Sequence, residues 1–288
     1  MKYLIVKGWL GFGDRLESLK MAVSYAINNQ LKIYVDWRDP MWSHSGEDFY
    51  TYFKLVNMPI LESLSDIPAD ATYYPAIWKG NLDKQITTEF LNEHKPDVFN
   101  LNILDKPYDA DVVVYSCVGN RTLYPDSTFF GNVFRVVDSR IISAVQKHSQ
   151  SYPLSTSWGI HIRGTDRLRD HRRMLSVQSI VSHVTTLGGL NKSHMAVVSD
   201  DKENAEVWKR FYPNSYIVSD LNVNGKKGIH NLSKDELSIS KDQANVNALI
   251  DFFVLCKCER VFSTVKDSRF AQEARRLHHV VDKILSSS

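Results

Sequence analysis

The stretch SWGIHIRGTDR, residues 157–167, runs from an apolar strand-like segment into His161, Arg163, Asp166 and Arg167 within seven positions. Burying that much polar and ionic functionality costs several kcal/mol per uncompensated ion, so either the chain or a ligand must supply partners. In a parallel sheet, His161 and Arg163 alternate to one side at the carboxyl end of their strand, where open α/β sheets take ligands. Arg163 is the candidate that matters most. Its guanidinium forks onto two phosphate oxygens without losing its charge, which suits a diphosphate leaving group. A turn ion pair between Arg163 and Asp166, with His161 simply hydrogen-bonded, accounts for the same residues without a ligand.

Four other segments carry groups of comparable interest. GWLGFGD has Gly8, Gly11 and Gly13 between a strand and a helix amino terminus, where free N–H groups and the helix dipole favour phosphate, although a plain tight turn fits as well. VVSDD puts Asp200 and Asp201 at the end of a strand, ready to cap a helix and, in addition, to reach a sugar or ribose. ALIDFFVLCKC surrounds Asp251 with apolar residues, so this carboxylate needs donors, either from an Arg or loop backbone or from the N1–H and N2 amino group of a guanine. In STVKDSRFAQEARRL, Asp267 or Ser268 can cap the last helix, and Ser268 can offer its hydroxyl and N–H to phosphate.

The elements that must hold these groups follow from periodicity. Tyr3–Val6 reads as a strand, apolar positions from Leu16 to Ile27 as a helix capped by Asp14, and LKIYVD as a second strand, which together make a parallel βαβ unit. Trp37 to about Tyr108 is irregular and aromatic-rich, and its rings serve a core or offer faces to acceptor sugars. DVVVYSC returns to strand, Asp138 starts a helix, and SQSYPLSTS has the composition of a linker. Beyond it strands at 157–162, 194–198 and 215–218 alternate with helices at 176–187 and 202–210. An apolar helix at 244–258, the strand RVFST and a helix at 269–277 complete the chain. The alternation predicts two α/β domains, 1–150 and 151–288.

Composition removes several classes. Thirty-five basic against thirty-three acidic residues give a net charge of +2, so no overall field recruits nucleic acid or an anionic membrane. Three cysteines are too few for a disulfide framework or a four-thiolate zinc site, and the amino terminus reads as neither a signal peptide nor a membrane span. A cytoplasmic protein without a transmembrane segment is expected. The DAD at 109–111 precedes a strand, whereas a metal-binding D-x-D follows one, and the histidines lack metal-like spacing, so no metal is expected. A nicotinamide site, with Asp36 as ribose carboxylate, is disfavoured because the glycines run G-x-x-G-x-G.

The five segments, in this order, resemble the rhizobial NodZ-type nodulation fucosyltransferases and, more distantly, the core α1,6-fucosyltransferases and protein O-fucosyltransferases. The matching pieces are GFGDRLESLKMAVSYA with IYVDWR, GIHIRGTDR, VVSDD and ALIDFFVLCKCERVFSTVKDSRFAQEARRL, spanning Gly11 to about Leu277. The resemblance implies a GT-B-type fold, two Rossmann-like α/β domains facing a cleft, in an inverting, metal-independent glycosyltransferase. GDP-fucose would bind chiefly to the second domain, with the first domain and its glycine loop on the acceptor side.

Residue by residue, the resemblance makes Arg163 the essential phosphate-binding arginine and gives His161 and Asp251 to the guanosine. Gly11, Phe12 and Gly13 become the loop over the diphosphate, and Ser268 part of the phosphate-contacting loop. Thr165 and Asp166 belong to the H-x-R-x-T-D core, Arg167 just after it can share the phosphate charge, and Asp200 and Asp201 lie in the matching VVSDD piece with a sugar or ribose contact open to them. Gly164 stands where the core-fucosylation enzymes tend to carry a second arginine, and the acidic catalytic position has two neighbours here, Asp170 and His171. The reading is transfer of L-fucose from GDP-β-L-fucose to a hydroxyl of an oligosaccharide acceptor, without a cofactor. A transferase using another GDP-sugar, a non-catalytic nucleotide-sugar or glycan binder, and a nicotinamide-dependent oxidoreductase are the alternatives.

Overall fold

The computed structural model describes residues 2–99, 104, 106–116, 127–163, 176–186, 194–219, 228 and 232–286. The chain divides into two compact units, one built from Met1–Val137 and the other from Asp138–Leu285. In the first, the elements are β1 (Tyr3–Lys7), α1 (Phe12–Asn28), β2 (Lys32–Asp36), α2 (Phe49–Tyr52), β3 (Phe53–Leu55), β4 (Tyr73–Tyr74), α3 (Thr88–Phe99), β5 (Val112–Ser116), α4 (Ser127–Val133) and β6 (Phe134–Val136). The second contains α5 (Ser139–Ser151), β7 (Trp158–Ile162), α6 (Val177–Thr186), β8 (Met195–Ser199), α7 (Lys202–Phe211), β9 (Ser215–Ile217), α8 (Lys241–Lys257), β10 (Arg260–Ser263), α9 (Arg269–Leu277) and α10 (Val281–Ile284).

Each unit has a four-stranded parallel sheet, ordered β2-β1-β5-β4 in the first and β10-β7-β8-β9 in the second. Every residue of β1, β5, β7 and β8 is buried, as parallel strands covered on both faces require. The strand order reverses beside β1 in one unit and beside β7 in the other, which creates a switch point at the carboxyl ends of β7 and β10. Gly159 lets β7 lie against α8, because a Cβ there would stand 2.7 Å from Leu255 Cδ2 and 3.2 Å from Cys258 Cβ.

Several expectations change. SQSYPLSTS is not a linker: its first residues end α5, Leu154 is buried, and Tyr152 donates its hydroxyl to the Asn214 carbonyl at 2.8 Å. α5 packs on α8, with Arg140 bonded to Asp242, so the division between units precedes this helix and does not fall at residue 150. α1 starts two residues before Asp14, with Gly11 as N-cap. The aromatic segment is largely core: Trp37, Phe49, Tyr52 and Phe53 are fully buried, and β3 pairs antiparallel with β6. Phe12 stacks there on Trp42 and Phe53, so those rings are closed to a sugar.

The ends of β1 and β2 hold two buried ion pairs. Lys7 Nζ donates to Asp36 Oδ2 at 2.6 Å and to the carbonyls of Leu82 and Lys84, while Arg38 and Gln85 bond both oxygens of the same carboxylate. Burial lowers the Lys7 pKa. Burial alone would raise that of Asp36, but the hydrogen bond from Arg38 and the charge of Lys7 outweigh it and hold it low. Asp36 is thereby committed to protein donors, which removes the ribose role a nicotinamide site would need. Arg15 forks onto Asp39 at 2.8 and 2.7 Å and gives its Nε–H to the Leu10 carbonyl.

That second pair explains Gly8. A Cβ at Gly8 would lie 2.1 Å from an Arg15 nitrogen, 2.5 Å from an Asp39 oxygen and 2.9 Å from Trp37, so Gly8→Ala must displace a buried charge pair. Breaking such a pair costs about 3–5 kcal/mol. At Gly11 the added methyl would meet only an Asp14 oxygen at 3.8 Å, with φ at −76°. In chemical denaturation Gly8→Ala is expected to lose about 3 kcal/mol or more, and Gly11→Ala less than about 1 kcal/mol.

Candidate functional site

At the switch point of the second unit, β10 lies beside β7 in a register that sets Ser263 opposite His161. Three hydrogen bonds stitch the strand ends together. The Thr264 N–H donates to the His161 carbonyl at 3.0 Å, the Arg163 N–H donates to Thr264 Oγ1 at 3.0 Å, and His161 Nδ1 pairs with Ser263 Oγ at 2.9 Å. Ser263 Oγ also accepts the Val265 N–H at 3.1 Å, so the same hydroxyl ties the loop to the ring. The ring stacks on Phe270 at 5.1 Å, and Phe270 meets Phe252 edge-on.

Arg163 is therefore the first residue past a rigid strand, half-buried, with its backbone fixed by a side chain from the next loop. That loop ends in the Ser268 cap of α9, whose Oγ accepts the Ala271 N–H at 3.4 Å and stands 3.5 Å from His161 Nδ1. Asp267, with φ at +61°, turns the chain into the cap rather than capping it. An open pocket of about 190 Å³ lies beside the loop, lined in part by Ser263, Lys266, Ser268, Gln272 and Arg275.

Asp251 reaches the carboxyl edge of the sheet from α8. It accepts the Ser219 hydroxyl at 2.5 Å, and Ser219 Oγ accepts the N–H of Ser199, the last residue of β8, at 2.8 Å. A serine two residues past β9 is thus one of its donors. Asp201 is the N-cap of α7, bonding the backbone N–H of Asn204 at 3.1 Å and its side-chain amide at 2.8 Å. Asp200 is half-buried next to it.

His161, Arg163 and Ser268 are brought together, and Asp251 and Asp201 stand with Ser199 along the same sheet edge. Gly11, Phe12 and Gly13 belong to the first unit, at the start of α1, which has no side-chain cap, and the Phe12 ring is buried. Thr165, Asp166, Arg167, Asp170 and His171 lie outside the described residues. Sequence reasoning missed Ser219, Ser263, Thr264 and Phe270. Ser263 alone had a legible signal, as a polar residue closing a strand adjacent to His161.

Burial first, then the charges of Arg163 and Arg275, push the His161 pKa down to about 3 from an ordinary 6.5. Between those values the unfolded chain takes up a proton that the folded chain refuses. Stability is therefore whole above the unfolded value and falls by up to about 1.4 kcal/mol per unit as pH drops through this window. His161→Asn is expected to flatten the stability profile between about pH 4 and 6 relative to the parent. Equal slopes in denaturant titrations would place the imidazole in solvent.

No protein-family model matches the sequence, and comparison with curated proteins gives no match. Solved structures do match. The fucosyltransferase NodZ from Bradyrhizobium has a TM-score of 0.65 at 18% identity, covering 96% of this chain and 93% of its own. POFUT1 in complex with GDP gives 0.55 at 10% identity over 100% and 96% of the two chains. FUT1 from Arabidopsis thaliana, also in complex with GDP, gives 0.52 at 16% identity over 96% and 68%. A further NodZ structure is of the α-1,6-fucosyltransferase soaked with GDP-fucose, again at 0.65 and 18%. Two Rossmann-like α/β units in series, with switch points beside β1 and β7, thus give this chain the GT-B-type fold of these fucosyltransferases.

Proposed function

We propose that the protein transfers L-fucose from GDP-β-L-fucose to a hydroxyl of a glycan acceptor, with inversion to the α-linkage. The observation that carries the reading is the β7–β10 switch point, where Arg163 follows a locked strand end beside a helix N-cap, on a fold shared with NodZ. In this reading the second unit binds the donor, and the first contributes the Gly11–Gly13 turn and the acceptor side. Structures of similar fold carry GDP or were soaked with GDP-fucose, which supports the same donor here.

The chemistry follows from the groups available. The acceptor oxygen attacks C1 of fucose as the bond from C1 to the β-phosphate oxygen breaks, and negative charge grows on the departing GDP. Arg163 meets that charge with its guanidinium, a role worth about 3–4 kcal/mol by analogy with oxyanion donors. The Ser268 hydroxyl and the first amides of α9 add neutral donors. His161, held uncharged, and Asp251 face the nucleoside, and Asp170 or His171 takes the acceptor proton. Guanidinium and helix-end donors together neutralise a diphosphate in the way a cation does, so the proposed mechanism is metal-free.

Release of GDP from GDP-fucose over an acceptor panel tests the activity. Arg163→Lys keeps the charge and loses the fork, so kcat is expected to fall at least about tenfold in a folded protein. Near-normal turnover would remove Arg163 from the reaction. Rates in excess EDTA are expected to match those with added magnesium or manganese. Loss in EDTA, restored by manganese, would overturn the metal-free mechanism; GDP binding without turnover on any acceptor would leave a nucleotide-sugar binder.

A further inference from the structure

Ser219 joins β8, the exit of β9 and α8 at Asp251, and its two hydrogen bonds run in one sense. The Ser199 N–H, at the end of β8, donates to Ser219 Oγ at 2.8 Å, so that oxygen is an acceptor toward the strand. Its single proton then goes to Asp251 Oδ2, 2.5 Å away on α8. The segment carrying Ser219 is itself held down, because the preceding Val218 N–H bonds the Val197 carbonyl of β8 at 2.8 Å. A backbone amide of the sheet thus orients a hydroxyl, and the hydroxyl orients a carboxylate.

An aspartate side chain rotates freely about χ2, and a carboxylate meets the N1–H and 2-amino group of guanine in parallel only when its plane is set. We propose that Ser219 is a positioning residue for nucleobase selection: it fixes the Asp251 carboxylate so that two coplanar acceptor directions face the two guanine donors. The inference rests on the guanosine role given to Asp251 above. It adds a residue of β9's exit loop to the determinants of GDP over other nucleotides, and it makes selectivity depend on Ser199 keeping its place in the sheet. A hydroxyl that merely filled a buried gap would affect every nucleotide alike.

The test compares Kd by calorimetry for GDP and for IDP, which lacks the 2-amino group, in the parent, Ser219→Ala, Ser219→Thr and Asp251→Asn. The parent is expected to prefer GDP. Losing one oriented bond at a buried acceptor is worth about tenfold, so Ser219→Ala should weaken GDP by about that factor and IDP by clearly less. Ser219→Thr, which keeps the hydroxyl, should restore most of the preference and guards against a fold defect in the alanine variant. Equal weakening of GDP and IDP, or none, with Asp251→Asn still losing the preference, would overturn the role of Ser219 and leave that of Asp251 intact. A parent without preference for GDP over IDP, or Asp251→Asn that keeps it, would overturn the guanine reading and the inference with it.

Discussion

An imidazole buried at the end of a parallel strand must be uncharged, and its neighbours must make up the hydrogen bonds that water would otherwise supply. His161 meets this constraint through its register against Ser263, and the rest of the site follows from the same pairing. Because Ser263 takes the Val265 amide and pairs with the ring, the loop after β10 cannot move without exposing a polar group. That loop delivers Thr264 to the Arg163 backbone and Ser268 to the start of α9. One strand pairing therefore fixes the backbone at Arg163, a helix N-cap and the partner of the imidazole at once.

The chain reveals much of this arrangement before folding. β7, β8 and α9 sit within one residue of the positions their periodicity predicts, because buried parallel strands and a strongly one-sided helix leave plain patterns. Ser268 as cap and Asp201 as cap were both readable from residue type and position. The helix carrying Asp251 starts earlier than its apolar run, at Lys241, because a cap at Ser240 satisfies polar first-turn residues that no hydrophobic pattern marks.

What was illegible depends on tertiary pairing. Ser219 is a common loop residue, and only the meeting of β8, β9 and α8 gives its hydroxyl two partners. SQSYPLSTS looked like a linker because serines and a proline mimic one, yet Leu154 and Tyr152 anchor it to the second unit. The aromatic segment misled for a related reason. Its rings pack on Phe12 and around Arg15, whose guanidinium lies 5.4 Å from the Trp37 ring and 5.2 Å from that of Trp42, so a charge inside an aromatic shell removed the expected periodicity. β3 and β6, three residues each and far apart in sequence, carry no local signal at all.

The two switch points carry different sets of polar residues. In the first unit, Lys7, Asp36, Arg15 and Asp39 pair among themselves and with nearby carbonyls, so the charges at the ends of β1 and β2 are already neutralised by protein. Such pairs are weak sources of stability but strict about geometry, and they hold the Gly8–Gly13 turn in one shape by anchoring the Leu10 carbonyl and excluding any side chain at Gly8. A turn so fixed offers a ligand backbone amides rather than charge. In the second unit Arg163, Lys266 and Arg275 gather around the loop after β10, and Arg275 gives its Nε–H to the Val261 carbonyl. Burial first, and then the charges of Arg163 and Arg275, keep His161 neutral. An anion entering the second switch point would meet those cations beside the N-cap of α9, and the proposed donor role of that unit rests on this arrangement.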